Sequence, residues 1–262
     1  MKLISLNAWG GKLFIPLMKF IKQSSKNTDI FCLQEIYDTS SGVKQYKNVI
    51  QANLLAELKK ILKEFRVFYF PYLFGFDEEG SKVNFDLSYG QAIFIKKSIK
   101  IIENKNYFIY KNKSLHSLMK NFSNLSTPLQ YIKLSLNNKT FAVFNFHGTP
   151  YPAAKKDTIK RLKQTRKIKK IIETGEGAKI LVGDFNLSLY TESIKLLENN
   201  MINLIKKFNI KKTRSKLSPY YGNRNFQRFA DYTFVSRDIN ILDFKVPHLK
   251  VSDHLPMILE FS

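Results

Sequence analysis

Residues 178–186 read AKILVGDFN, an apolar run that ends in an aspartate and an asparagine. A short apolar run rich in β-branched residues predicts a buried strand, and the sequence after it predicts a loop. A core strand has no need of Asp184 or Asn186. These two side chains are therefore expected at the rim of a sheet, where α/β enzymes build their sites.

The same pattern, an apolar run followed by polar residues, recurs along the chain. KLISLN ends in Asn7, and DIFCLQE ends in Gln34 and Glu35. Further examples are His147 at the end of FAVFNFH, Asp231 within FADYTFVS, and Asp253 with His254 just before PMILEF. Taken alone, each has an ordinary alternative, such as a cap, a turn residue, a solvated carboxylate or a satisfied buried histidine. Their combination favours a functional site.

The order of elements predicts an α/β protein. Strands are also expected at VFYFPYLF, QAIFIKK, LQYIKLSL and INILDFKV, and helices over residues 15–23, 49–64, 155–174 and 192–200. In the helix of residues 155–174, the apolar stripe is expected to comprise Ile159, Leu162, Ile168 and Ile171. No linker or repeat divides the chain, so residues 1–262 are predicted to form one domain. The expected architecture is a four-layer α/β/β/α sandwich, two mixed β-sheets flanked by helices.

Composition excludes several classes of protein. The chain has 262 residues, 44% of them hydrophobic and 24% charged, which is usual for a globular protein. The single cysteine, Cys32, rules out an internal disulfide and a cysteine-based zinc site. No apolar run approaches the roughly 20 residues that span a bilayer. With one cysteine and no recognisable export signal, we expect the protein in the cytoplasm.

The charge is strongly positive. Lys and Arg total 43 against 21 Asp and Glu, which gives a net charge of +22 and a pI near 9.8. Such a balance favours a polyanionic partner such as nucleic acid. A biased genome composition is the alternative, because only 7 of these residues are arginine, the better phosphate-binding side chain.

The polar residues at the strand ends suit metal-assisted chemistry. Oxygen ligands without cysteine favour a hard divalent cation such as Mg²⁺ or Mn²⁺. An aspartate beside a histidine fixes the histidine's tautomer and raises its basicity, and a second carboxylate near water can act as a general base. These are the components of metal-assisted phosphodiester hydrolysis.

Several motifs in order resemble the endonuclease/exonuclease/phosphatase superfamily, which includes deoxyribonuclease I, exonuclease III-type apurinic endonucleases, sphingomyelinases and deadenylases. The matching motifs are LQE at 33–35, GDFN at 183–186, ADYTFVS at 230–236 and SDH at 252–254. The resemblance extends over nearly the whole chain, and the combination of GDFN with SDH is its most specific part.

The resemblance implies a role for each site residue. Glu35 is similar to the principal metal ligand, with Asn7 and Asp253 completing or flanking the metal shell. Asp184 resembles the base that orients or deprotonates the attacking water. The remaining implied roles are Asn186 holding that geometry and contacting phosphate, His254 binding the scissile phosphate, Asp231 pairing with His254, and His147 as a second histidine of the nuclease and sphingomyelinase branches.

The sequence differs from two branches of this superfamily. The segment at His147 reads FNFHGTP, where apurinic endonucleases have a tyrosine-Pro-Asn segment, and this weakens a role in abasic-site repair. The chain also lacks the disulfides of secreted deoxyribonucleases. The carboxylate that pairs with His147 in those enzymes is not identifiable; Asp77, Glu78, Glu79 and Asp86 are all in the plausible segment.

The segments around the site are less informative. Residues 104–127, which contain His116, are basic and aromatic, and they form either a substrate-facing arm or a solvated hairpin loop. The many basic residues of 155–170 either contact nucleic acid or only solvate a helix. Arg214, Arg224 and Arg228 precede Asp231, and this segment is the preferred candidate for a phosphate-contacting loop.

We therefore expect a Mg²⁺- or Mn²⁺-dependent phosphodiesterase, a nuclease acting on DNA or RNA. The alternatives are a phosphatase or phospholipid phosphodiesterase of the same superfamily, and a non-catalytic nucleic-acid-binding module. The third is disfavoured because every expected site residue is present. The sequence gives no sign of an obligate protein partner, and a monomer is expected.

Overall fold

Two six-stranded β-sheets form the centre of the protein. The computed structural model describes residues 1–77, 80–110, 126–136, 138–151, 154–223 and 226–262. The strands of the first sheet, in spatial order, are β13 (Ile241–Lys245), β14 (Met257–Phe261), β1 (Lys2–Asn7), β2 (Ile30–Asp38), β6 (Ser88–Lys96) and β5 (Phe65–Phe74). Only the β1 and β2 pair is parallel, so this sheet is mixed.

The second sheet repeats the same plan. Its strands, in spatial order, are β11 (Ile202–Asn203), β12 (Asp231–Val235), β10 (Ala178–Asp184), β9 (Lys139–His147), β8 (Thr127–Leu136) and β7 (Lys100–Tyr110). Here β9 and β10 are the parallel pair, and the other pairs are antiparallel. Each sheet therefore has at its centre a parallel pair whose carboxyl ends meet at one edge.

Side-chain alternation places the two sheets face to face. Leu3 and Cys32 belong to an apolar cluster shared with the second sheet, whereas Ile4 and Phe31 belong to a cluster shared with helices. Successive residues of a strand point to opposite faces, so each of these strands is buried on both sides.

Helices cover the outer face of each sheet. α1 (Phe14–Ser24) and α2 (Leu54–Ile61) pack on the first sheet, and α3 (Ile159–Thr174) and α4 (Glu192–Glu198) pack on the second. A short helix α5 (Leu204–Lys207) and a small hairpin, β3 (Gln45–Tyr46) with β4 (Ile50–Gln51), complete the elements. The predicted α/β/β/α sandwich of two mixed sheets is confirmed.

The helix expected over residues 49–64 is shorter than predicted. Ile50 pairs with Tyr46 across a tight turn in which Lys47 and Asn48 have positive φ angles, and the helix begins only at Leu54. Ile50 packs among aromatic side chains below this hairpin instead of on the helix stripe. Helical spacing alone could not exclude this alternative, because an isolated isoleucine suits a strand equally well.

The buried face of α3 also differs from the predicted stripe. Ile159 is 76% exposed, and the residues that face the sheet are Arg161, Gln164, Thr165, Ile168 and Ile172. Two polar members of this face are hydrogen-bonded: Gln164 donates to Thr127 and Thr149, and Arg161 donates to the Lys156 and Thr149 carbonyls. A stripe chosen by hydrophobicity misses polar side chains that find partners inside the protein. The helix itself begins at Ile159, after Thr158 caps the backbone N–H of Arg161 at 3.2 Å.

The segment expected to be an arm or a loop is partly a strand. Residues 104–110 belong to β7, which pairs with β8. Thr127 begins β8, and residues 111–125 with His116 are outside the described residues.

In the described part of the chain, every helix is too short or too polar to span a membrane.

Candidate active site

Three strand ends of the second sheet bring acidic and histidine side chains side by side. In the register of the sheet, Asp184 of β10 is opposite His147 of β9 on one side and Asp231 of β12 on the other. In the first sheet, Asn7 of β1 is opposite Gln34 of β2, next to Glu35. The predicted rim of the sandwich is thus a single cluster to which both sheets contribute.

Gly183 allows β10 to end in this way. It has φ of +135°, and a Cβ atom there would collide with the Phe146 carbonyl of β9. Only glycine adopts this conformation readily. The close approach brings Asp184 up against His147.

Asn7 links carboxylates from the two sheets. Its Nδ2 donates to Glu35 Oε1 at 2.8 Å and to Asp184 Oδ2 at 3.1 Å, while its Oδ1 accepts from the Trp9 backbone N–H at 2.9 Å. Two carboxylates therefore share one neutral donor at the centre of the cluster.

A β-bulge orients Glu35. The pairing of β2 with β6 shifts register between Gln34 and Ile36, and Glu35 has φ of +57°. Bulges commonly redirect a side chain next to a functional site. Here the extra residue sends Glu35 toward Asn7, whereas a regular strand would have put it on the face of the sheet.

His254 is held by Asp231. Its Nδ1 is 2.8 Å and 2.9 Å from the two Asp231 carboxylate oxygens, and its Nε2 is 3.7 Å from Asp184 Oδ2. Burial would lower the pKa of His254, but the charges of Asp231 and Asp253 outweigh it and raise that pKa to about 9. His254 is therefore a buried imidazolium at neutral pH.

The loop that carries His254 is fastened to the first strand. Ser252 Oγ donates to the Asn7 carbonyl at 2.7 Å and accepts from the His254 backbone N–H at 3.2 Å. The serine of the SDH motif is thus a structural connection between this loop and β1.

His147 has a tyrosine partner instead of the expected carboxylate. Its Nδ1 is 2.8 Å from Tyr72 Oη, and its Nε2 is 3.7 Å from Glu35 Oε1 and 3.9 Å from Asp184 Oδ2. Burial lowers the pKa of His147 to about 4 and raises that of the Tyr72 phenol. The neutral ring therefore accepts from Tyr72 at Nδ1 and directs its Nε2–H toward the carboxylates.

Two of the four candidate carboxylates for His147 have other partners. Asp77 is 2.7 Å from the Lys47 ammonium, and Asp86 accepts from Thr39 at 2.7 Å. Glu78 and Glu79 are outside the described residues. Tyr72 was missed because a tyrosine within an apolar strand looks like an ordinary core residue.

Asn186 holds Asp184 and contacts a half-buried lysine. Its backbone N–H donates to Asp184 Oδ1 at 2.8 Å, and its Nδ2 donates to the Gly148 carbonyl at 3.2 Å. Its Oδ1 accepts from Lys155, which also donates to the Pro150 carbonyl at 2.8 Å. Burial lowers the pKa of Lys155 to about 7. The sequence placed Lys155 on a helix; the structure places it before that helix, beside the site.

Of the three arginines expected near the site, Arg214 is buried beside it. Its Nη1 is 3.5 Å from Asp253 Oδ2, and that oxygen is 3.8 Å from His254 Nε2. The Arg228 side chain is exposed, and Arg224 is outside the described residues.

Among the residues that the structure describes, two groups of side chains are close enough to hold a metal ion. The candidate ligand atoms of Glu35, His147 and Asp184 lie within 4.8 Å of one another, as do those of Asp184, Asp231 and His254. In the second group, His254 Nδ1 and the Asp231 carboxylate are already paired with each other. The first leaves two carboxylates facing one neutral donor, an arrangement that suits an added hard cation.

Comparison with known proteins identifies the family of the chain. Residues 4–254 match the model of the Endonuclease/Exonuclease/phosphatase family. The chain belongs to this family. Its members are named for phosphoester hydrolysis, and the acidic and histidine groups described above suit such a hydrolase. The comparison with curated proteins gives no match.

Solved structures of the endonuclease/exonuclease/phosphatase family share the fold at low identity. A mannosyl-6-phosphatase of Bacteroides thetaiotaomicron VPI-5482 has a TM-score of 0.70 and 16% identity, covering 100% of this chain and 99% of that one. A humanized D. rerio TDP2 has a TM-score of 0.68 and 14% identity, with coverage of 100% and 98%. The human Nocturnin catalytic domain, solved with a sulfate anion, has a TM-score of 0.63 and 18% identity, with coverage of 100% and 93%.

Proposed function

We propose that the chain is a Mg²⁺- or Mn²⁺-dependent phosphodiesterase, a nuclease that hydrolyses DNA or RNA. The observation that carries this proposal is the position of Asp184, 3.7 Å from a charged His254 and linked through Asn7 to Glu35. Three groups are therefore close together: a base for the attacking water, a cation that can bind the phosphate, and a carboxylate that can bind a metal.

Glu35 is the principal metal ligand in this proposal, with Asn7 and Asp253 flanking the metal. The residues fit a hard cation because the Asn7 amide brings the carboxylate oxygens of Glu35 and Asp184 together. When bound, the cation would neutralise negative charge on the phosphate oxygens. Asn7 would contribute its side-chain oxygen, which accepts from the Trp9 backbone N–H.

Asp184 acts as the base in the proposal. Burial by itself raises its pKa, but the facing charge of His254 and weaker contributions from other cationic neighbours lower it below its ordinary value. The carboxylate therefore stays ionised and can orient water or take its proton. The Asn186 N–H fixes one of its oxygens and leaves the other facing the two histidines.

His254 binds the scissile phosphate in the proposal. Asp231 keeps its Nδ1 occupied, so the Nε2–H is the group that donates to a phosphate oxygen as negative charge develops. His147 assists from the opposite side as a neutral donor. Asn186 and the adjacent Lys155 extend the row of phosphate contacts.

Nucleic acid is the proposed substrate because of the charge of the whole chain. A net charge of +22 is far more than a single phosphate group requires, and it suits a polymer that is contacted through several phosphates. Nuclease binding of this kind weakens steeply as salt increases.

A phosphatase is the second candidate, and the similarity to a mannosyl-6-phosphatase favours it. A phosphatase that recognises one small headgroup would show little salt dependence. The dependence of substrate binding on salt concentration therefore distinguishes the two candidates, whatever sequence is cut.

The test is cleavage of labelled single-stranded DNA, duplex DNA and RNA by the purified chain, with Mg²⁺, with Mn²⁺ and with chelator. Asp184→Asn and His254→Ala should each reduce turnover by at least about two orders of magnitude while leaving the protein folded. His248→Ala, which changes an exposed histidine, is the matched control and should retain activity. Full activity in a folded His254→Ala protein would contradict the assignment. Metal-dependent hydrolysis of small phosphoesters without cleavage of any polymer would favour the phosphatase.

A further inference from the structure

A cavity of about 660 Å³ opens directly beside the candidate site. Lys155 and Arg214 line it, and these two side chains also contact Asn186 and Asp253 of the site. Lys155 and Arg214 would therefore lie between a ligand in the cavity and the proposed position of the scissile phosphate. A volume of this size is typical of a small-ligand pocket.

The walls of the cavity are aromatic. Tyr151, Tyr220 and Phe226 line it, and the two tyrosines are 49% and 58% exposed. Phe226 packs against Tyr221, with the ring centroids 5.3 Å apart in an edge-to-face arrangement. Exposed aromatic side chains are costly to leave in water, and several on one cavity indicate a binding surface.

The cavity lies between two loops that are tied together. Gln227 Nε2 donates to the Ala154 carbonyl at 2.7 Å, and its Oε1 accepts from Ser188 Oγ at 2.6 Å. Both ends of this amide are occupied, so Gln227 acts as a tether between the loops. The tether therefore connects the segment next to Phe226 with Ala154 and Ser188.

We propose that this cavity is a subsite for the base of the nucleotide adjacent to the scissile phosphate. The inference rests on the proposed nuclease function and names the part of the substrate that the enzyme recognises beside the phosphate. Lys155 and Arg214 hold the phosphate end, and Tyr151, Tyr220 and Phe226 stack the base.

A planar ring fits this wall better than a sugar does. A sugar needs many neutral hydrogen-bonding groups around its hydroxyls, and most of the cavity wall is aromatic, apolar or cationic. A base has two apolar faces, and its stacking on aromatic side chains tolerates any sequence. The strong positive charge of the chain favours the same class of ligand.

The experiment measures binding without turnover. The Asp184→Asn chain, loaded with Mg²⁺, is titrated calorimetrically with adenosine 5′-phosphate, methyl phosphate and mannose 6-phosphate. We expect adenosine 5′-phosphate to bind at least about tenfold more tightly than the other two, in line with the usual effect of one stacked base.

Variants assign the difference to the cavity. Tyr220→Ala should weaken adenosine 5′-phosphate binding by about tenfold and leave methyl phosphate unchanged, whereas Tyr220→Phe should retain tight binding because it keeps the ring. Tyr190→Ala, an exposed tyrosine outside the cavity, is the control. Equal binding of all three ligands, tighter binding of mannose 6-phosphate, or no effect of Tyr220→Ala would overturn the proposal.

Failure of the subsite and failure of the proposed function give different results. If the wild-type chain cleaves nucleic acid but shows no preference for the base, the subsite is wrong and the nuclease stands. If it cleaves no polymer but binds adenosine 5′-phosphate through Tyr220, the cavity binds a base, and both the nuclease assignment and the placing of that base beside a scissile phosphate are overturned.

Discussion

Asp231 holds His254 from the side opposite to Asp184. The His254 ring has its Nδ1 2.8 Å from Asp231 and its Nε2 3.7 Å from Asp184, although the two aspartates are direct neighbours across β10 and β12. A single imidazole thus lies between two carboxylates with different surroundings. Both Asp231 oxygens are close to His254 Nδ1, whereas Asp184 accepts from Asn7 and the Asn186 N–H and faces His254 Nε2 at a longer distance.

The first prediction concerns this division of roles. Asp231→Asn keeps the size of the side chain but removes the charge that raises the pKa of His254 and orients its ring. We expect kcat to fall by about 100-fold or more, with KM less affected, because the charge-stabilising donor is lost from the reaction. Steady-state kinetics and a thermal melt measure the effect. Asp243→Asn, which changes a partly exposed carboxylate paired with Lys245 at 2.9 Å, is the control. A kcat within twofold of wild type would show that Asp231 is dispensable.

The second prediction tests Tyr72 as the group that positions His147. Tyr72→Phe removes the hydroxyl at 2.8 Å from Nδ1 and keeps the ring in the core. We expect kcat to fall by about tenfold, less than in His147→Ala, because the ring tautomer loses its hydrogen-bond partner.

Tyr69→Phe on the same strand is the matched control, since its hydroxyl bonds to the Ile36 carbonyl at 3.2 Å and to Ser88 at 3.1 Å. The ¹⁵N chemical shifts of His147 report the tautomer directly. If they are unchanged in Tyr72→Phe, the tyrosine does not set the tautomer.

The third prediction concerns the metal. Binding of a divalent cation to the folded chain should raise its Tm, because a ligand that binds only the native state stabilises it. Glu35→Gln should abolish most of the Mg²⁺-dependent rise, since it removes the proposed principal ligand. Calorimetric scans with increasing Mg²⁺ measure this, and the exposed Glu176→Gln serves as control. A Mg²⁺-dependent rise in Glu35→Gln equal to that of wild type would move the metal away from Glu35.

The sequence predicts the sandwich and the positions of the strand-end residues because both depend on local patterns. His147 and Asp184 end apolar runs, Asp231 begins one, and sheet register then aligns the three. Such alignment is a property of parallel and antiparallel pairing and needs no detailed packing.

Other parts of the site depend on contacts between distant segments. The bulge that turns Glu35 is a register shift against β6, and Tyr72 contacts a histidine 75 residues away. Lys155 looks like one more basic residue of a helix until the loop before α3 is folded. The polar face of α3 is missed for the same reason, because only tertiary structure reveals its partners.

The last prediction concerns a buried amide network between the two sheets. Asn145 accepts from Gln34 at 2.6 Å, and its own amide donates to Gln130 at 3.2 Å and to the Leu33 carbonyl at 3.3 Å. Asn145→Ala would leave these buried groups without their hydrogen-bond partner, so the free energy of unfolding should fall by about 2 to 4 kcal/mol. Urea denaturation measures this against Asn106→Ala, an exposed asparagine of β7. Equal stability of the two variants would mean that water replaces the lost amide, and that the network positions β2 without stabilising the fold.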